Sequence, residues 1–326
     1  MTIACAVVVV GCRKDPGPSV VVYCSVDETF GRSVLAAFES RSGINVDVIF
    51  DTEAGKTTGL VKRIELERDN PQADVFWSSE LFNTVALARQ GLLETYDSAG
   101  ASDIPPRYRD PERRWTAFGL RGRVLAFDPA RTPAESVPGK WELLSDPQHA
   151  SGLAFANPLF GTTRGHVAAM FALWGRERGR AFLQGLAANG ARIVDGNSTA
   201  VRELVRQRIA LAATDTDDVL VANQRGARLE MLYPDLGDGG TLLIPNSVAI
   251  LAGARHPTAA RKLVDYLVSA EVEEMLARSA SGNIPVRPAL REKLKMELPP
   301  ETKVPYGAVT DAMADAVAAV REILIR

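Results

Sequence analysis

The chain has 326 residues, of which 46% are apolar and 24% charged, enough to bury the cores of two mid-sized domains. Its 38 basic and 40 acidic side chains leave a formal net charge of −2, which argues against a nucleic-acid-binding surface, because such a surface needs clustered excess Lys and Arg. No apolar run approaches the ~20 residues that span a bilayer. The three cysteines and three histidines have neither disulfide-framework nor zinc-site spacing.

The first residues predict an export signal. Residues 3–11 read IACAVVVVG, Cys12 follows at once, and a polar stretch punctuated by Pro16 and Pro18 comes next. The order Val-Val-Gly-Cys resembles a lipobox, in which small residues precede a cysteine that becomes acylated. A buried first strand is the alternative, but the two prolines would isolate it from the next strand. We therefore expect a lipid on Cys12 that tethers a globular body to the membrane surface.

The first part of the mature chain alternates strands with helices. The continuous apolar run 20–24 is typical of a strand that is buried on both faces. An S-x-x-E capping signal from Ser25 to Glu28 starts a helix, and strands are predicted again at 44–50 and 73–77. This order of elements predicts a mostly parallel sheet with right-handed crossovers.

The alternation breaks at 94–118, which is rich in proline, arginine and aspartate, and a long strand is predicted at 119–127. A second set of strands and helices occupies 153–224, and another long strand at 241–252 precedes an all-helical tail. These features predict a two-lobe α/β fold, in which two mostly parallel sheets are joined by crossover strands that serve as the hinge.

Three parts of the chain are expected from this pattern. Residues 1–19 would be the lipoprotein signal and linker, residues 20–120 with 250–326 the first lobe, and residues 121–249 the second lobe. Ligands of open α/β sheets bind at the carboxyl ends of the strands, so the predicted ligand site is the cleft between the lobes.

Eight short stretches carry a likeness to a known family, and this likeness covers nearly the whole mature chain, from Val20 to about Pro288. They are 22–27 (VYCSVD), 36–44 (AAFESRSGI), 70–77 (NPQADVFW), 91–96 (GLLETY), 109–115 (RDPERRW), 200–205 (AVRELV), 248–250 (VAI) and 256–260 (HPTAA). In their order and spacing these stretches resemble the type 2 periplasmic solute-binding proteins, and within them the ferric-ion-binding group.

The resemblance implies a non-enzymatic protein that captures a small ligand outside the cytoplasmic membrane for an ABC importer. Its partners would be the importer's permease and ATPase, and the protein would be a monomer, located in the periplasm or on the cell surface. Any bound Fe³⁺ or other metal would be the transported ligand and not a cofactor.

Two acidic residues are candidate ligands in the first lobe. The resemblance places Asp27 where the ferric-binding group often has a histidine or carboxylate ligand, and Glu80 at the group's carboxylate ligand. Each residue also follows a predicted strand end. The alternatives are a helix cap for Asp27 and a first-turn acid that the helix dipole stabilises for Glu80.

In the second lobe, predicted helices begin at Gly161-Thr162-Thr163 and at Asn197-Ser198. Free backbone N–H groups and hydroxyls at such ends suit an anion, either part of the ligand or a counter-anion. Ordinary capping by Thr162 and Ser198 is the alternative.

The segment 214–218 departs from the ferric-binding group, which tends to have a tyrosine pair there. This chain has Asp215, Asp217 and Asp218 instead. Hard cations accept carboxylate oxygen, so Asp27, Glu80, Asp217 and Asp218 are candidate metal ligands. These acids and Asp215 would also hold an ammonium group or the hydroxyls of a ligand.

An enzyme is the rival hypothesis. Asp215 and Asp217 follow an apolar strand and match the D-x-D-x-[TV] motif of haloacid-dehalogenase-like phosphatases, in which the first aspartate attacks phosphorus and the second is the general acid. That superfamily usually begins with this motif, however, and here it lies two-thirds along the chain, without a convincing downstream acidic pair for magnesium.

Arg121 and Arg123 lie on the predicted crossover strand at 119–127. They could meet an anionic ligand, although exposed arginine is commoner on such a strand.

Overall fold

The computed structural model describes residues 17–51 and 57–325. Cys12 and the predicted export signal lie outside the described residues. Within the described ranges, no helix has the length and apolar character that crossing a membrane requires.

The first lobe is built on three parallel strands. The apolar run at 20–24 forms the central strand of the three. Four of the six side chains of this strand are completely buried, because helices cover both faces of the sheet. The elements are β1 (Ser19–Cys24), α1 (Glu28–Ser42), β2 (Asn45–Phe50), α2 (Thr58–Leu66), β3 (Val75–Ser78) and α3 (Phe82–Arg89).

Two long strands connect the lobes, as the sequence predicts. They are β4 (Thr116–Phe127) and β9 (Leu243–Ile250). The first half of β4 pairs antiparallel with β9, and its second half pairs with strands of the second lobe. A register shift at Gly119, whose φ is +58°, separates two paired stretches of β4, and glycine accepts this left-handed conformation without a steric cost.

The second lobe repeats the arrangement of parallel strands with covering helices. Its elements are α4 (Pro147–Ala150), β5 (Leu153–Ala156), α5 (Gly161–Trp174), α6 (Arg176–Ala188), β6 (Arg192–Val194), α7 (Asn197–Val205), β7 (Leu211–Asp215), α8 (Thr216–Gln224) and β8 (Glu230–Leu232).

Hydrogen bonding is continuous through both lobes in the strand order β2-β1-β3-β9-β4-β7-β5-β6, with β8 on the side of β4. The pairs β1–β2, β1–β3, β5–β6 and β5–β7 are parallel, and every pair that includes β4 or β9 is antiparallel. The α/β two-lobe fold is therefore confirmed, with sheets that are parallel inside each lobe and mixed where the crossover strands enter.

The helical tail divides between the two lobes. It consists of α9 (Pro257–Leu267), α10 (Ala270–Arg278), α11 (Pro288–Leu294) and α12 (Tyr306–Ile323). The helices α9 and α10 bury Leu263 and Val272 in the core of the first lobe, whereas α12 buries Val309, Met313 and Val320 in the core of the second.

The expected assignment of the whole range 250–326 to the first lobe therefore needs a correction at α12. The chain passes back to the second lobe along the crossover, where Thr241 and Glu301 pair as a β-bridge. An apolar helical face shows that a helix packs, but it does not show which lobe receives it.

Candidate functional site

The site lies in a cleft between the lobes, at the carboxyl ends of the parallel strands. The first lobe and the crossover supply Asp27 after β1, Ser79 after β3, and Arg121 of β4. The second-lobe residues that line the cleft are Ala156, Asn157, Phe160, Gly161, Thr162, Thr163, Asp195, Gly196, Asn197, Asp215, Asp217 and Asp218.

A buried ion pair lies beneath the cleft. The strands β4 and β7 place Arg123 opposite Asp215, with 2.7 Å between Nη1 and Oδ1. The other carboxylate oxygen accepts hydrogen bonds from the Thr162 hydroxyl at 2.6 Å and from Nδ2 of Asn197 at 3.0 Å. Thr163 in turn donates to Oδ1 of Asn197 at 3.2 Å. This network holds the beginnings of α5 and α7 against the end of β7.

The same contacts argue against a phosphatase reaction. A nucleophilic aspartate needs an oxygen that can reach phosphorus, and both oxygens of Asp215 already accept hydrogen bonds from buried groups. The predicted general acid, Asp217, is held by Arg121. The phosphatase alternative has no support in this geometry.

Arg121 bridges the two lobes. Its Nη1 donates to Oδ2 of Asp217 at 3.0 Å, and its Nη2 donates to the main-chain oxygen of Ser79. Ser79 follows a strand of the first lobe, whereas Asp217 lies in the first turn of α8 in the second lobe. Both charged side chains of the pair are only 8% exposed, so the chain holds its own cation inside the acidic cleft.

Three aspartates at the start of α8 come together as a cluster. One carboxylate oxygen from each of Asp215, Asp217 and Asp218 lies within 4.8 Å of the others. Asp218 accepts the Thr214 hydroxyl at 3.0 Å, and its main-chain N–H donates to Asp217 at 3.1 Å. Oxygen donors at this spacing suit a hard cation or an ammonium group.

Burial and the two arginines set the protonation of the cluster. Burial raises the pKa of Asp217 above its ordinary value, and the charge of Arg121 offsets only part of this effect. Burial acts in the same direction on Asp215, but Arg123 and Arg121 outweigh it and hold the pKa of Asp215 below its ordinary value. Burial would lower the pKa of Arg121, but the carboxylates of Asp217 and Asp215 raise it. Of the two aspartates, Asp217 is therefore the one whose ionised form a bound cation would stabilise more.

The helices α5, α7 and α8 of the second lobe begin beside the cleft. In the described part of the chain, the N-cap residues of α5, α7 and α8 are Phe160, Gly196 and Asp215, and none of their side chains makes a capping hydrogen bond. Thr162 and Ser198, the capping residues of the alternative from sequence, lie inside α5 and α7 and not at the N-cap positions, and the Thr162 hydroxyl donates to Asp215. The positive ends of the helix dipoles point toward the acidic cluster and partly offset its charge.

The structure brings most of the predicted residues to the cleft. Asp27 lies at the N-cap position of α1, but within the described part of the chain its side chain makes no capping hydrogen bond, and it lines the cleft. Ser198 does not line the cleft itself but lines a second cavity that adjoins it.

Glu80 is the exception. Its carboxylate turns back to accept the backbone N–H of Phe82 at 2.7 Å and of Asn83 at 3.3 Å, at the start of α3. Burial raises the pKa of Glu80, and the residue is absent from the cleft lining among the described residues. A ligand role for Glu80 stays a prediction that this geometry does not favour, because the first N–H groups of α3 and the helix dipole hold its carboxylate.

Arg121 and Arg123 differ from the expectation for a crossover strand. Both are buried, although exposed arginine was the commoner expectation for a crossover strand. A signal was present, since the two arginines are two residues apart on one strand and therefore share a face. The pairing depends on the register of β4 with β7, which the sequence does not state.

Comparison with known proteins agrees with this architecture. The family profile "Bacterial extracellular solute-binding protein" matches residues 70–309. Iron uptake protein A1 of Synechocystis sp. is 25% identical over 268 residues, 79% of this chain and 73% of the relative. A putative 2-aminoethylphosphonate-binding periplasmic protein of Salmonella typhimurium is 26% identical over 270 residues, 80% of this chain and 75% of the relative.

Among solved structures, iron-bound HitA from Pseudomonas aeruginosa superimposes with a TM-score of 0.83. The superposition covers 94% of this chain and 99% of that one at 23% identity, a likeness that establishes the fold. Because the family profile spans well over half of the sequence, the chain belongs to the bacterial extracellular solute-binding proteins.

Proposed function

We propose that this protein is the solute-binding component of an ABC importer and that it captures a cation in the cleft between its lobes. The ligand would be Fe³⁺, another metal ion or an organic cation. The observation that carries the proposal is the acidic cluster at the start of α8, in which one carboxylate oxygen each of Asp217 and Asp218 lies within 4.8 Å of the other and of Asp215, the residue that Arg123 holds beneath them.

The charge of the cleft supports a cationic ligand. Five acidic side chains and one arginine line it. Two like charges 4 Å apart repel by about 4 kcal/mol at an effective dielectric constant near 20, so closing the empty cleft is unfavourable. A cation between the lobes would convert this repulsion into attraction and favour closure.

The relatives are named for ligands that carry a positive charge. One is an iron uptake protein, and another is named for 2-aminoethylphosphonate, which has an ammonium group. The aspartates at 215–218 supply hard oxygen ligands where the ferric-binding group tends to have tyrosines. Carboxylates can coordinate a metal ion, and they can also accept charge-assisted hydrogen bonds from an ammonium group.

The location and partners are part of the same proposal. A lipid on Cys12 would tether the protein to the outer face of the membrane, within reach of the permease and its ATPase. The permease would recognise the closed arrangement of the two lobes. Only a ligand that favours closure would then be delivered to the importer.

Native mass spectrometry with elemental analysis of the purified protein tests the proposal. We expect a metal ion or a small organic cation to co-purify, and we expect Asp217→Asn to weaken its binding by about 1–3 kcal/mol, the range for a buried charge-assisted contact. Asp128→Asn, which removes a carboxylate outside the cleft lining, is the control. A neutral or purely anionic ligand, or unchanged binding in Asp217→Asn, would contradict the proposal.

A further inference from the structure

We infer that the ligand has an anionic end as well as a cationic one, and that three arginines at the cleft mouth hold the anionic end. This inference rests on the proposed function, because it assumes that the aspartates take the cationic end. The cleft continues into a larger cavity of about 500 Å³, the outer cavity, which shares Asp27, Asp217 and Asp218 with it. A bare metal ion would leave this space unused.

The outer cavity is acidic at one end and basic at the other. Asp27, Asp217 and Asp218 lie where it meets the cleft, and its remaining charged residues are Arg202, Arg206 and Arg225. Such separation of charge along one cavity matches a ligand that carries both signs at a distance from each other.

Helix α8 sets that distance. Asp217 and Asp218 lie in its first turn, and Arg225 is its C-cap residue. Seven to eight residues at 1.5 Å each separate their backbones by roughly 10–12 Å along the axis. Because arginine has a long, flexible side chain, the charged groups themselves can approach more closely, so a ligand with a short spacer can reach both.

Part of the lining of the outer cavity is apolar. Phe30, Val201, Val205 and Val221 line the outer cavity. Val205 is 48% exposed, one of the few large apolar side chains on the described surface. A hydrocarbon spacer that covers it would remove apolar area from water, which stabilises the complex by about 25 cal/mol per Å².

Helix-dipole complementation is the competing explanation for the arginines, since Arg206 and Arg225 are the C-cap residues of α7 and α8. It does not account for the apolar part of the lining or for the continuity of the outer cavity with the cleft. Arg206 has only a loose ion pair with Glu203, at 3.9 Å. The Arg225 guanidinium has no ion-pair or hydrogen-bond partner among the described residues, so it remains available to a ligand.

The chemistry that fits is a cationic head, a short apolar spacer, and a carboxylate, phosphonate or phosphate tail. The head can be an ammonium group or a metal ion held in a chelate with free carboxylates. Arginine pairs with such anions through two parallel N–H groups, so the outer cavity would select for the tail.

Two matched titrations by isothermal calorimetry test the inference. The first compares hexylamine with aminohexanoate, which has an anionic carboxylate at its far end. The second uses ferric citrate, in which iron is the cation and citrate supplies the carboxylates. Each is carried out on the wild type, on Arg225→Gln, and on Arg228→Gln, a control that removes the same charge just outside the outer cavity.

We expect at least one tailed probe to lose about tenfold in affinity in Arg225→Gln while Arg228→Gln binds as the wild type does. In the first titration, aminohexanoate should bind more tightly than hexylamine, and the affinity of hexylamine should be the same in both variants as in the wild type. Equal affinities of the two amines, together with ferric citrate binding that Arg225→Gln leaves unchanged, would overturn the inference. If the inference fails in this way but hexylamine binds to the wild type and Asp217→Asn abolishes that binding, the proposed function stands, without an anion site in the outer cavity. Absence of binding by every probe would overturn both.

Discussion

Individual side chains in this site are held by partners that the backbone positions for them. Arg123 is completely buried, yet it contacts Asp215, Thr162, Asn197 and His166. Removing one member of a buried ion pair commonly costs about 3–5 kcal/mol, because the other charge stays buried without compensation. The network beneath the cleft is therefore a rigid support for the ligand site.

His166 supplies a pH dependence that can be measured. Burial and the charge of Arg123 hold the pKa of His166 well below 6.5, so the folded protein keeps this ring neutral while the unfolded chain protonates it below pH 6.5. The contribution of His166 to stability is thus present above pH 6.5 and is lost as the pH falls, at up to about 1.4 kcal/mol per pH unit.

Urea unfolding of the wild type and His166→Gln between neutral pH and about pH 5 checks this prediction. Glutamine keeps an acceptor for Arg123 but does not titrate, so we expect the free energy of unfolding of the variant to fall less on acidification. Parallel pH profiles of the two proteins would contradict the prediction, whatever the difference in their absolute stability.

Among the elements, β4 does the most to position the site. It pairs with β9 in one lobe and with β7 and β8 in the other, so its side chains stand between the half-sites. Arg121 on this strand reaches Ser79 of the first lobe and Asp217 of the second. A single strand residue therefore links the lobes and neutralises part of the acidic cleft.

We expect Arg121→Gln to tighten cation binding. The arginine competes with a ligand cation for Asp217, and a charge-assisted contact contributes about 1.5–3 kcal/mol, which corresponds to a gain of roughly tenfold or more in affinity. Calorimetric titration with Mn²⁺, a hard cation that remains soluble at neutral pH, measures the effect. Weaker binding in the variant would instead mark Arg121 as a contact to an anionic part of the ligand.

The lobes also touch away from the hinge strands. Phe82 of α3 belongs to the hydrophobic core of the second lobe, and a Cβ atom on Gly165 of α5 would come within 2.3 Å of its ring. Arg164 of α5 donates to Asn83 of α3 at 3.1 Å. The contact between α3 and α5 therefore depends on a glycine that lets two helices from different lobes approach closely.

Gly165→Ala should hold the lobes apart. We expect a larger radius of gyration in small-angle scattering and weaker ligand binding, because closure would force the new methyl group against Phe82. Gly179→Ala is the matched control, since its Cβ would meet Phe171 at 2.5 Å inside the second lobe. The control should lower the melting temperature without opening the molecule, and equal scattering from Gly165→Ala and the wild type would count against this role.

Membrane attachment is a prediction for the whole protein. Cys12→Ser should prevent lipidation and release the protein into the soluble extracellular or periplasmic fraction, since the lipid supplies most of the affinity for the bilayer. Fractionation of cells that express each form, followed by immunoblotting, measures the result. A serine variant that stays with the membrane after a salt wash would refute the lipobox interpretation.

Much of the architecture follows from local sequence. The apolar run at 20–24, the break at 94–118 and the two long strands were enough to predict two α/β lobes with crossover strands. Residues after strand ends, such as Asp27, Thr162 and Asp217, were predicted at the cleft because parallel strands bring their carboxyl ends to one edge.

Only the tertiary structure decided the contacts between distant parts of the chain. Glu80 and Asp217 look alike in sequence, as acids that follow an apolar strand, yet Glu80 binds the first N–H groups of α3 and Asp217 faces the cleft. The burial of Arg121 and the placement of α12 in the second lobe likewise depend on strand register and on helix packing over long separations. Local patterns predict elements because they report short-range preferences and burial, whereas the partner of a charged group is set by which backbone segments the whole fold brings within hydrogen-bonding distance.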